Sequence, residues 1–279
     1  MTKSKKQLKE EQEINAEKAI VEERLTTRND VYTQGAFSYL RLLTHTIGLL
    51  QFAYGIYYHW YHVHWQTKIQ DEDELRTRWG GKLKYLTFLN MILQTIYHFV
   101  ALLNDFLGTN AVGQSSLMPG IRKLRDYIFA AWAFPIANNV CISFWVVYTY
   151  DRELIFPKAL DAIYPNWLNH ISHTNIAMLA ILDMFTCFRQ YPSRKAGLTG
   201  SITFMALYLI WIHVVRFYSG HWVYPLFDVL NLPMRYFMLS AMSCFTVVLY
   251  LLGEFLNNLI WSPELRLLRV KDSKLDKTE

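Results

Sequence analysis

Thr87 carries a hydroxyl, and His170 and His173 carry imidazoles three residues apart, with a further imidazole at His213. A threonine hydroxyl is a weak nucleophile unless a base lies within hydrogen-bond reach. Imidazole is the side chain whose charge change falls nearest neutral pH, so it suits that task. The i,i+3 spacing of His170 and His173 predicts that both lie on one helix face. Set against this, a threonine within an apolar helix more often packs or bonds back to a carbonyl one turn away. His59, His62 and His64 read as interfacial residues near a helix end.

The elements that must carry these groups are apolar helices. Hydrophobic residues make up 52% of the chain and charged residues 18%, yet the mean hydropathy is only +0.09. That mean combines two populations, charged ends and a long apolar middle. Six apolar segments follow in order, at about 36–60, 83–107, 127–148, 167–188, 198–218 and 234–258. Each approaches the ~20 residues that cross a bilayer's hydrocarbon core at ~1.5 Å per residue. The aromatic share of 16% suits Trp and Tyr at a membrane–water interface. The predicted fold is therefore all-α, a polytopic integral membrane protein with six transmembrane helices. Residues 1–34 form a charged N-terminal segment, 35–262 the membrane domain and 263–279 a charged tail.

With six spans, Thr87, His170 and His173 fall a few residues inside the same leaflet, and His213 returns to it. The adjoining loops add Asp151, Arg152, Glu153, His221 and Tyr224. This depth match holds whichever way the protein is inserted, and it fits a site acting on molecules dissolved in the bilayer. Eighteen Lys and Arg residues fall on the side of the two tails and nine on the other. The positive-inside rule then places both termini in the cytosol, with the plasma membrane or the endoplasmic reticulum as location. The loop from Lys68 to Lys84, with five positives interspersed with Asp71 to Glu74, runs against that bias. The first thirty residues are too polar for a signal-peptide core, so the first span is expected to direct insertion. A net charge of +5 carried at helix flanks and tails does not suggest nucleic acid binding.

The remaining polar residues admit other readings. Asp105, Asp183 and Glu254 sit toward the opposite helix ends, where they could bond between helices, face water or line a transport path. Pro135 could kink the third helix, with neighbouring helices re-satisfying the freed backbone groups. Cys141, Cys187 and Cys244 form no CxxC and read as packing residues, so neither a disulfide framework nor a metal site is expected. Nine histidines raise a metal-dependent oxidase, but His62, His64, His170 and His173 are too few clustered ligands for one. On residues alone, a hydrolase and a non-enzymatic transporter or scaffold stand level.

A series of motifs separates them. Lys84-Tyr-Leu-Thr-Phe-Leu89, Leu124-Arg-Asp-Tyr127, Ala133-Phe-Pro135, and Phe144-Trp145 leading to Tyr150-Asp-Arg-Glu153 come first. Trp167-Leu-Asn-His-Ile-Ser-His-Thr174, Gln190-Tyr-Pro-Ser-Arg194 and Gly197-Leu-Thr199 follow, then Trp222-Val-Tyr-Pro225 and Tyr250-Leu-Leu-Gly-Glu-Phe-Leu-Asn-Asn258. Over about residues 36–261 the chain resembles the family of androgen-induced and androgen-dependent TFPI-regulating membrane proteins. The resemblance implies a threonine-type lipid hydrolase, without cofactor or metal, that cleaves fatty acid esters of hydroxy fatty acids drawn from the bilayer. It also implies Thr87 as nucleophile and His173 as its histidine, with no role carried to His170. Asn90 and Asn169 are candidate oxyanion donors, Arg152 is a candidate cation for the substrate carboxylate, and no residue is identified as orienting His173. No Gly-x-Ser-x-Gly elbow occurs, so the soluble lipase template does not apply.

Overall fold

A computed structural model describes residues 11–24, 35–63, 79–111 and 120–275. His64, the acidic run Asp71–Glu74 and most of the loop that holds it lie outside the described residues. Among the described residues the chain is helical, without a strand. Helix α1 is Ala36–His62 and α2 is Leu86–Leu107. Helix α3 covers residues 120–151, α4 residues 166–186, α5 is Arg194–Ser219, α6 Leu232–Ile260 and α7 Ser262–Leu275.

Four stretches are long and apolar enough to cross a membrane: Leu86–Leu107, Gly120–Leu154, Arg194–Ser219 and Leu232–Ile260. The expected first and fourth spans form helices α1 and α4 within the same bundle, but do not meet that measure of length and hydropathy. The sequence accounts for this, because α1 carries Arg41, three histidines and a series of tyrosines. Both helices nonetheless turn apolar side chains outward, among them Leu43, Ile47 and Leu50 of α1 and Met178, Ile181 and Phe185 of α4. The interior, beside an apolar core, also holds Arg41, His45, Asn90, Gln94, His98, Asn104 and Asp183. This distribution follows from a lipid solvent, in which outward apolar groups cost little and inward polar groups must find partners. The protein is an all-α membrane protein.

Helix α1 runs along α2, α4 packs on α1 and α3, and α6 lies against α3 and α5. The α1–α2 approach depends on Gly48, where an added Cβ would lie 2.5 Å from the His98 ring. Val21 and Leu268, from the two tails, join Phe188 and Trp261 in one apolar cluster, so both tails meet the same end of the bundle. Pro135 is accommodated by a π-helical turn, Phe129–Ala133, immediately before the α-helix resumes. Carbonyls beside it are taken up by neighbouring helices: the Ser201 hydroxyl donates to Ala131 O at 2.6 Å and the Gln94 amide to Ala133 O at 2.9 Å.

A second π-helical turn, Ile171–Asn175, interrupts α4 at the histidine pair. A π turn widens the helix and moves residues off the α-helical register, and such turns recur at functional sites. Here His173 points inward and is buried, whereas His170 is exposed and stacks on Trp145. The two members of the i,i+3 pair thus differ in burial. His173 lies above Asn169, four residues back.

Candidate active site

Thr87 is the second residue of α2. Gly80, in the left-handed conformation, and the 3-10 turn Gly81–Lys84 bring the chain to Tyr85, whose extended backbone starts the helix without a side-chain cap. An uncapped helix start leaves first-turn N–H groups in need of acceptors. The Leu86 N–H donates to the phenol oxygens of Tyr208 and Tyr224, each at 3.1 Å. Residues from α5 and from the loop before α6 thereby fix the turn that carries Thr87.

The Thr87 hydroxyl and His173 Nε2 are 3.2 Å apart. On the other side of the ring, Nδ1 lies 2.7 Å from Asn169 Oδ1 and 3.1 Å from the Asn169 carbonyl. Two oxygen acceptors at Nδ1 place the ring proton there and leave the Nε2 lone pair for the Thr87 O–H. Phe144 stacks on the imidazole at 3.5 Å with a 12° interplanar angle, holding the ring in that plane. The hydroxyl–imidazole–amide order is the triad arrangement with an amide as the orienting group. The positive end of the α2 dipole adds a field that favours negative charge at Thr87.

These groups open on a cavity of about 680 Å³ with apolar walls that include Phe88, Met91, Phe156 and Val223. That volume lies within the range of small-molecule sites. Lys82, Lys84, His221 and Tyr224 supply polar groups along it. The Lys82 ammonium donates to the carbonyls of His59 and Trp60, closing the C-terminal end of α1.

Several sequence readings change here. Asn169 is an acceptor that orients His173 rather than an oxyanion donor; the i,i+4 spacing of the two residues was the available signal. Asn90 is buried against Gln94, its carbonyl accepting from the Gln94 amide at 3.1 Å, and does not line the cavity. Arg152 pairs with Asp161 at 2.6 Å and lies over Tyr148 and Phe156, also off the cavity. His59 is more than interfacial, since its buried ring packs on Phe88 and Tyr164 and forms part of the cavity wall. His213 bonds to Leu209 O at 2.7 Å and stacks on Tyr236, apart from the Thr87 group.

Toward the opposite end, Asp105 and Asp183 are joined by a residue that the sequence did not single out. His45 bridges them at 2.5 and 3.0 Å, Arg41 pairs with Asp105 at 2.8 Å, and Arg189 pairs with Asp183 at 2.5 Å. Glu254 belongs elsewhere, with Arg194 at 2.9 Å. The three acids therefore do not form one continuous path. Among the described residues, His45, Asp183 and Cys187 are the group close enough to share a metal, but Arg189 and Tyr97 already engage Asp183.

A helical membrane bundle with a hydrogen-bonded threonine–histidine–asparagine series facing an apolar cavity is the class that fold and site define together. The chain belongs to the FAR-17a/AIG1-like protein family, whose model matches residues 40–258. It is 38% identical over 191 residues to the human androgen-induced gene 1 protein, covering 67% of this chain and 80% of the relative. The human androgen-dependent TFPI-regulating protein is 35% identical over 217 residues, 73% of this chain and 92% of the relative. Its mouse counterpart is 37% identical over 193 residues, 69% and 83% respectively. No solved structure matches the chain.

Proposed function

We propose that this protein is a membrane-embedded lipid esterase that hydrolyses fatty acid esters of hydroxy fatty acids. The observation that carries the reading is the 3.2 Å contact between the Thr87 hydroxyl and a His173 already oriented by Asn169, at the wall of an apolar cavity. In the first step Thr87 Oγ attacks the ester carbonyl while His173 Nε2 takes its proton. The tetrahedral intermediate collapses, His173 gives the proton to the departing hydroxyl of the hydroxy fatty acid, and an acyl-threonine remains. Water then attacks the acyl group with His173 again as base, and the fatty acid leaves. Lys84 at the cavity supplies the cation for the substrate's free carboxylate. Both tails face the cytosol, as the distribution of Lys and Arg favours, and the site lies under the other leaflet.

A lipid panel presented to the purified protein in nanodiscs tests this reading. The hydroxy fatty acid ester should be cleaved to two acids, its methyl-capped form about 10- to 150-fold more slowly, in keeping with one charge-assisted hydrogen bond of roughly 1.5–3 kcal/mol. Failure to cleave any ester would overturn the proposal.

Asn169→Ala should lower turnover about 10- to 100-fold, less than the ~10⁴ seen when an orienting group forces the wrong tautomer. The reason is that the Asn169 main-chain carbonyl, also near Nδ1, survives the substitution. Steady-state kinetics on the folded variant measures it.

A further inference from the structure

The relay accounts for the nucleophile and the proton but leaves the negative charge on the carbonyl oxygen without a donor. We infer that the Tyr224 phenol is that donor, a catalytic residue that holds the oxyanion beside Thr87. This rests on the esterase reading above and names a further part of the same site.

Leu86 has a single N–H, and both phenol oxygens accept from it. The Tyr208 hydroxyl donates its own hydrogen to Lys84 O at 3.2 Å. Tyr224 accepts from Leu86, so its hydrogen is directed elsewhere. The Tyr208 oxygen is near it at a long 3.4 Å, and its shared donor Leu86 is the residue that precedes Thr87. Tyr224 lines the same cavity as Thr87 and His173. Burial pushes its phenol above the usual tyrosine range, so it keeps its proton at neutral pH and stays a donor. The Thr87 N–H is its natural companion. It lies in the first turn of α2, and no acceptor is assigned to it among the described residues.

The chemistry balances without a further reagent. As Thr87 Oγ bonds to the carbonyl carbon, the C=O π electrons move onto oxygen, and the Tyr224 O–H and Thr87 N–H donate to it. The phenol proton stays on Tyr224 throughout. When the C=O bond re-forms, the leaving oxygen takes the proton held by His173.

Tyr224→Phe in the full-length protein tests the assignment, with Tyr208→Phe as comparison. Both tyrosines accept from Leu86 N–H, so either variant leaves that donor one phenol oxygen. With p-nitrophenyl decanoate, kcat of Tyr224→Phe should fall about 10²–10³-fold with KM little changed, the usual effect of deleting one oxyanion donor. Tyr208→Phe should fall less than about tenfold on the same reasoning. Equal losses in the two variants, or near-normal turnover in Tyr224→Phe, would overturn the assignment. A second measurement does not depend on either variant folding. The wild type should turn over the thiono analogue of that ester far more slowly than the ester, because C=S is a poor hydrogen-bond acceptor. Equal rates would also overturn it. Full activity in Thr87→Ala would instead defeat the esterase reading itself, so the two failures are distinguishable.

Discussion

Replacing Thr87 with alanine is expected to reduce ester hydrolysis by about 10⁴-fold or more, leaving only what binding and the oxyanion site provide. The substitution removes a hydroxyl and a methyl from a helix start that is fixed by main-chain and phenol contacts, so insertion and accumulation should be unchanged. His173→Ala should cost a similar factor, since an unassisted threonine hydroxyl is a poor nucleophile. The double variant should be no worse than the more damaged single one, because groups that act as a unit do not contribute additively. A fluorophosphonate probe should label the wild type and miss Thr87→Ala. Turnover at wild-type level in either single variant, measured as acid released per mole of folded protein, would refute the assignment.

The second large effect lies in the interior, away from the chemistry. Asp183→Ala should destabilise the bundle by about 3–5 kcal/mol, the usual consequence of removing one partner from a buried ion pair. Asp183 is completely buried, and its carboxylate is held by Arg189, His45 and Tyr97. Without it, the Arg189 guanidinium, also inaccessible, would keep its charge next to Phe129 with Tyr97 as its remaining side-chain hydrogen-bond partner. Pairing Asp183→Leu with Arg189→Met should restore part of the loss, since removal of both charges leaves no unpaired ion. Thermal unfolding in detergent measures both. The ten residues from His173 to Asp183 span about 15 Å of α4, so the kinetic constants of the folded fraction should change little. A double variant no more stable than Asp183→Ala would show that the pair is not the source of the stability.

Much of this protein was legible in its sequence because the relevant physics is local. A run of about twenty apolar residues identifies a membrane helix wherever it occurs, and the apolar segments reappear as helices α1 to α6 within a residue or several of their expected ends. Helix direction and rise alone put Thr87 and His173 at the same depth. The acids Asp105 and Asp183 marked themselves as residues needing a partner, because an ionisable group in lipid is expensive.

Other features required the folded chain. Thr87 and His173 lie 86 residues apart, and shared depth does not make two helices neighbours. Only the packing of α1, α2, α3 and α4 around one another decides that. The packing around the π turn at Ile171–Asn175 buries His173 and leaves His170 exposed, a difference that i,i+3 spacing does not foretell. Tyr208 and Tyr224 carry no net charge, so their types alone do not say whether they meet water, lipid or each other. The tyrosine hydrogen bonds exist because two distant segments converge on the start of α2. The sequence by itself determined which stretches form long apolar helices and which ionisable groups within them need partners. The tertiary structure decided which of those groups meet, because hydrogen bonds act over about 3 Å and helix register alone does not bring separate helices within that distance.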